Sequence, residues 1–139
     1  MRHFNRDSLD YKFVEKFEAG LVLTGSDVKS LRTQTVQFAN SKVEIKNGQA
    51  ILMNLQIPLY KYSQGQVVDT TADRSLLLSE KEIAKLISFK NQKYMLIPVA
   101  IFLKGHWFKV EIGVGRKVKK YEKKEKLKIE DQKRESNLS

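Results

Sequence analysis

Around residues 18–32 the hydrophobic pattern switches from a period of two to a helical period, and few folds accommodate that switch in so short a space. Phe13, Glu15, Phe17, Ala19, Leu21 and Leu23 fall on one face of an extended segment, with Lys12, Lys16 and Glu18 on the other. Beyond Gly25, Val28 and Leu31 lie one helical turn apart, with Lys29 and Arg32 beside them. Thr24 or Ser26 can cap this short helix by accepting a hydrogen bond from a free backbone N–H in its first turn. Gly20, inside the strand pattern, predicts a bulge or a close backbone approach.

The same reasoning extends along the chain. Asn47-Gly48 tolerates positive φ at both central positions of a type I′ turn, so Val43–Ile45 and Ala50–Leu52 are expected to form a hairpin. A second hairpin is expected from Tyr94 to Phe102, through a turn at Lys104-Gly105-His106, and back along Trp107–Ile112. On its return strand Phe108, Val110 and Ile112 face one way, Lys109 and Glu111 the other. Ser79 and Glu82 form a capping box ahead of a helix with an Ile83, Leu86, Ile87 stripe, and Leu76-Leu77-Leu78 before it is expected to be a buried strand. Gln56 to Asp73, with Pro58, Gly65 and many polar residues, is expected to be mostly a mobile excursion. These patterns define a mainly β, α+β domain over residues 1–115, with about six strands and two or three short helices.

Apolar content then falls sharply. Residues 116–139 hold 10 basic and 5 acidic side chains, half of the +10 net charge of the 139-residue chain. Such a segment cannot bury enough surface to offset its ordering entropy, so it is expected to be a basic tail that is disordered when free. Arg116, Lys117, Lys119, Lys120, Lys123, Lys124 and Lys126 put seven cations in eleven positions, with Tyr121 among them. Cations hold phosphates, and an aromatic ring can stack on an exposed base.

The charge surplus points to a polyanion, nucleic acid before membrane. The longest apolar run, Tyr94 to Leu103, contains Pro98 and is too short to span a bilayer, and the N-terminus lacks the apolar segment of a secretory signal. The absence of cysteine removes disulfides and thiolate metal sites and agrees with a cytoplasmic protein. Catalysis has little to work with. His3 lies in a terminus expected to fray and His106 in a turn, and neither a phosphate-binding loop nor a carboxylate cluster with metal-ligand spacing is present, so no enzyme activity, cofactor or metal is expected. Trp107 is expected to pack at a barrel edge. Glu18, an acid among apolar neighbours, suits a cross-strand salt bridge or an acceptor for a nucleotide base or sugar.

The run Glu18-Ala19-Gly20-Leu21-Val22-Leu23-Thr24-Gly25-Ser26-Asp27-Val28-Lys29-Ser30-Leu31-Arg32 closely resembles a signature of the small protein B family, which commonly reads E-A-G-I-V-L-T-G-T-E-V-K-S-L-R. Asn47-Gly48, Arg74–Leu78, Lys81–Leu86, Pro98 and Lys109–Gly113 extend the likeness in order and spacing. The resemblance implies a small antiparallel, oligonucleotide-binding-like barrel with helices packed around it. It further implies an RNA-binding adaptor for ribosome rescue, which binds the tRNA-like domain of transfer-messenger RNA and delivers it to stalled ribosomes. The implied partners are that RNA, the ribosome at its small-subunit decoding site and messenger channel, and elongation factor Tu through the RNA complex, with no membrane.

By position, Glu18, Leu77 and Lys109 match family residues associated with RNA, and Lys29, Arg32 and Arg74 are cations expected to join them. Arg116, Lys117, Lys119, Lys120, Tyr121, Glu122, Lys123 and Lys124 are the residues expected to contact the ribosome. Ala72-Asp73-Arg74-Ser75 stands where the family usually has Arg-x-Arg-Lys, and Lys117 where it has Gly. A structural ribosomal protein is the alternative function from another class, and a nucleic-acid-processing enzyme the third.

Overall fold

The computed structural model describes residues 2–58 and 71–118. In chain order these form β1 (Arg2–Phe4), a short 3-10 helix (Arg6–Asp10), β2 (Tyr11–Leu21), α1 (Gly25–Thr33), β3 (Lys42–Lys46), β4 (Gln49–Met53), β5 (Arg74–Leu77), α2 (Glu80–Asn91), β6 (Met95–Lys104) and β7 (Trp107–Lys117). The strands build one antiparallel sheet in the order β1-β6-β7-β2-β5-β4-β3.

The expected barrel is present as a strongly curled sheet whose closure no ladder completes among the described residues. It curls until Cα atoms of β3 and β6 come within 8 Å of each other. On the inner side of the curl, Phe17, Ala19, Leu21, Val43, Leu52, Leu76, Ile101, Phe108, Val110 and Ile112 form the main core, into which Leu31 of α1 and Leu86 of α2 insert. The alternation read in β2 and β7 holds from Phe17 to Leu21 and from Phe108 to Ile112; the irregularity between Phe13 and Glu15 changes the parity of β2, so Phe13 packs with Phe4, Leu9, Val99 and Ala100 instead of with Phe17.

Local chemistry explains the element ends. The Thr24 hydroxyl accepts from the Asp27 N–H at 3.1 Å while the Asp27 carboxylate accepts from the Thr24 N–H, so Thr24 is the cap of α1. Ser79 and Glu82 close the same reciprocal box on α2. Asn47 and Gly48 take φ values of 50° and 74°, as the type I′ turn requires. Pro98 is accommodated in β6 at an irregularity between Pro98 and Ala100, close to where Asn5 Nδ2 donates to the Pro98 carbonyl at 2.7 Å. The bulge of β2 lies between Phe13 and Glu15, away from Gly20.

Several expectations change. Leu76 is buried, but Leu77 is 64% exposed, since neighbours in a strand face opposite sides. Ile87 points outward and Phe89 takes its place against the core, where it meets Tyr94 edge-on. The first residues of the segment from Gln56 are anchored, since Gln56 bridges Gln37, Ile57 is fully buried and the Pro58 carbonyl accepts from the Ser30 hydroxyl at 2.6 Å, while residues 59–70 of the expected excursion lie outside the described residues. His3 is part of β1, and its Nε2 lies 2.6 Å from the Leu31 carbonyl. That oxygen can only accept, so Nε2 carries the proton. Arg116 and Lys117 belong to β7, which runs two residues past the expected domain end at residue 115.

Candidate RNA-binding face

The residues matched from the sequence meet across three strands. Gly20 of β2 is paired on one side with Leu77 of β5 and on the other with Lys109 of β7. Glu18, two residues back along β2, stands on the same outward pleat face opposite Glu111. Gly20 is central for a steric reason. A Cβ there would lie 3.3 Å from Leu77 Cβ and 3.5 Å from its Cδ1, so the missing side chain is what lets Leu77 lean over the β2 backbone. The predicted close approach is therefore present, between strands.

The acidic members of this face are held by cations. Lys104 bridges Glu18 at 3.2 Å through Oε1, while Glu111 takes Lys16 at 3.2 Å and Arg2 at 3.6 Å. Thus Glu18 does form the salt bridge that its environment suggested. A carboxylate offers about four lone-pair sites, so this bridge leaves capacity to accept from a second donor. A cavity of about 320 Å³, lined by Arg2, Lys16, Phe17, Glu18, Phe102 and Glu111, adjoins the carboxylates. Its lining mixes Arg2, Lys16, Glu18 and Glu111 with Phe17 and Phe102, so it suits a partially polar ligand better than a hydrocarbon one.

Arg74 lies elsewhere. It is 5% exposed, with Nε and Nη2 on the Asp27 carboxylate at 3.2 and 3.4 Å and Nη1 donating to the Leu55 and Ala72 carbonyls. The expectation that it meets RNA is corrected: its fork is occupied inside the protein, where it ties β5 to the first turn of α1. Breaking such a buried pair from one side costs about 3–5 kcal/mol, because the remaining charge is stranded. Lys29 and Arg32 are exposed on α1, an element apart from the Gly20 row.

The tail splits in two. Arg116 stacks its guanidinium 3.9 Å from the centre of the Tyr94 ring and donates to the Gln92 carbonyl at 3.1 Å. Lys117 pairs with Tyr11, and the Val118 N–H donates to the Asp10 carbonyl at 2.8 Å. These two cations thus root the tail on the body. Lys119, Lys120, Tyr121, Glu122, Lys123 and Lys124 lie outside the described residues.

Trp107 is 73% exposed, which corrects the packing role expected of it. The signal was available in the strand alternation: Trp107, Lys109 and Glu111 share a parity opposite to the apolar Phe108, Val110 and Ile112. Among the described residues, no group of three or more His, Asp or Glu is arranged to hold a metal ion, and no helix is long and apolar enough to cross a membrane.

A curled antiparallel sheet flanked by two helices, with Glu18, Leu77, Trp107 and Lys109 on its outer surface, defines a small, mainly β, α+β protein. The chain belongs to the SmpB family: the family model described as SmpB protein matches residues 3–138. An SsrA-binding protein of Bacillus pumilus is 41% identical over 127 residues, spanning 91% of this chain and 81% of that one. Another from Sulfurihydrogenibium sp. is 43% identical over 131 residues, spanning 94% and 86%. A solved chain described under "tmRNA-SmpB: a journey to the center of the bacterial ribosome" superposes with a TM-score of 0.67 at 35% identity, covering 80% of this chain and 79% of that one.

Proposed function

We propose that this protein is an RNA-binding adaptor for ribosome rescue, which binds the tRNA-like domain of transfer-messenger RNA and delivers it to stalled ribosomes in trans-translation. Its relatives are SsrA-binding proteins, and its structural neighbour is described with tmRNA and the bacterial ribosome. The observation that carries the reading is the convergence of Glu18, Leu77 and Lys109, from three strands, around Gly20 on one face. In this reading Lys109 neutralises a phosphate, Glu18 accepts a hydrogen bond from a base or ribose, and Leu77 packs on sugar or base. The adaptor works in the cytoplasm and performs no chemistry on the RNA. Elongation factor Tu joins through the RNA, and residues beyond Val118 reach the decoding site and messenger channel of the small subunit.

Pull-down from cytoplasm followed by sequencing of the bound RNA tests the first half, and one abundant RNA with a tRNA-like end is expected. A spread of ribosomal RNA fragments, with the protein stoichiometric on all ribosomes, would instead mark a structural ribosomal protein. A chain ending at Val118 tests the second half. It retains the complete β7 strand and its Asp10 contact, so it should fold and bind the isolated tRNA-like RNA with nearly full affinity. Peptide tagging on stalled ribosomes should fail with it. Full tagging by this shortened chain would return the tail to a solubilising charge run.

A further inference from the structure

We propose that Trp107, with Val22 beside it, is a stacking platform for an unpaired nucleobase of the RNA bound by the outer face. This inference rests on the RNA-binding reading above. Six large apolar side chains are exposed on the described surface, and three of them, Val22 at 48%, Leu77 at 64% and Trp107 at 73%, belong to the same end of the sheet. The register accounts for their proximity. Leu77 is opposite Gly20 and Gly20 opposite Lys109, where the β2–β7 pairing ends; extended two residues past that end, the register would bring Val22 to the level of Trp107. Trp107 opens β7 directly after the tight turn at Gly105, so its ring stands at the rim of the sheet, paired with Lys104 on β6.

The surroundings select the ligand. An exposed indole is a large flat apolar surface, and isolated exposed residues of this kind need no partner, but a cluster at one end of one face does. Lys109 lies two residues along the strand from Trp107, and Lys104 lies across from it while also holding Glu18. A ligand for this place therefore needs a planar apolar face and a negative charge a few ångströms away, within a molecule attracted by a +10 protein. An unstacked nucleotide has both: the base covers the indole and its phosphate meets Lys109. Helical RNA keeps its bases stacked, so the occupant is a base from a loop or bulge. Every base has a π-face, so the platform confers affinity and orientation with little sequence preference.

Trp107 is the single tryptophan of the chain, so intrinsic fluorescence reports on this position alone. The full-length protein is titrated with a transcript of the tRNA-like domain and, in parallel, with a loop-free RNA duplex of equal length and with anionic phospholipid vesicles. The transcript should quench fluorescence saturably, with the midpoint found by filter binding, and should shield the ring from iodide; duplex and vesicles should do neither. Trp107→Leu should lower affinity for the transcript about 5- to 150-fold, the range of one base-aromatic stack, and by the same factor at low and high salt because stacking releases no counterions. Trp107→Phe should stay within about threefold of the native protein. The proposal is overturned if the transcript binds without changing fluorescence and Trp107→Leu binds like the native protein. Iodide shielding already present in the free protein would also overturn it, assigning the platform to a segment of this same chain, as would equal quenching by vesicles, which would assign it to lipid. Failure of the native protein to bind the transcript at all would remove the RNA-binding reading itself.

Discussion

The outer face of the sheet is covered at one end and bare at the other. At the covered end, Phe4, Leu9, Val99 and Ala100 are buried as a second small core, with Phe13 packed against it. Leu9 comes from the 3-10 helix, which Asn5 secures by accepting from the Asp7 N–H and donating to the Pro98 carbonyl. At the other end Val22, Leu77 and Trp107 stand in solvent around Gly20 and Lys109. A chain able to roof part of this face with five residues leaves the remainder open. The difference teaches that the same kinds of side chain serve stability at the covered end and, in the proposed reading, RNA contact at the bare one.

The sharpest way to break this contrast is to truncate one leucine at each end. Leu9→Ala should destabilise the fold by about 2–5 kcal/mol in denaturant unfolding. Leu77→Ala should change stability by no more than about 0.5 kcal/mol, while weakening RNA binding by about 1.5 kcal/mol. Equal stability losses would mean that the bare end is core after all. Next in size is Glu18→Ala. If net charge alone governed binding, removing an acid and releasing Lys104 from its bridge would tighten it. As a specific acceptor, Glu18 should instead contribute about 1.5–3 kcal/mol, read as weaker RNA binding at unchanged thermal stability.

Lys109→Gln should act through salt. The slope of log affinity against log salt should fall in magnitude by up to about one unit if the ammonium neutralises one phosphate, and an unaltered slope would reduce Lys109 to a solvated strand residue. The smallest effect lies away from both ends, where Lys90 of α2 reaches Glu44 of β3. The hydrogen bond from Lys90, with help from nearby positive charge, holds the Glu44 carboxyl below its ordinary value despite some desolvation. Because the folded state lowers this pKa, the resulting stability is present above the ordinary glutamate range and fades as pH drops through the depressed value. Lys90→Met should accordingly cost at most about 1 kcal/mol at pH 7, and thermal melts of the two proteins should converge in strong acid. A gap that persists there would be packing, not charge.

Local signals were legible where local chemistry decides. Asn47-Gly48, the Ser79–Glu82 box and the alternation of Phe17–Leu21 and Phe108–Ile112 needed only neighbouring residues, and each appears as expected, whereas the irregularity that takes Phe13 off the Phe17 face left no local signal. Arg74 was illegible for the opposite reason. Its partner Asp27 is 47 positions away, and a cation beside a run of leucines looks the same in sequence whether it faces a phosphate or a buried carboxylate. Open sheet ends escaped as well, since periodicity gives the face of a strand and says nothing about which strands fail to pair. Glu18, Leu77 and Lys109 were singled out through family resemblance as candidates for the RNA face, and their meeting around a glycine required the register.

The β7 strand carries both ends of the molecule's proposed work, and it does so without a bulge of its own. The irregularities fall in its neighbours, between Phe13 and Glu15 in β2 and between Pro98 and Ala100 in β6, so β7 is the straight member against which both are adjusted. At about 3.3 Å per residue, roughly 26 Å separate Lys109 from Lys117. It behaves as a ruler with a two-residue graduation. Inserting one residue would turn Arg116 off the Tyr94 ring and reverse the faces beyond the insertion, while inserting two would restore the faces and move the tail root outward by about 6.6 Å. The span between the face and the tail can thus be lengthened or shortened only in whole pleats.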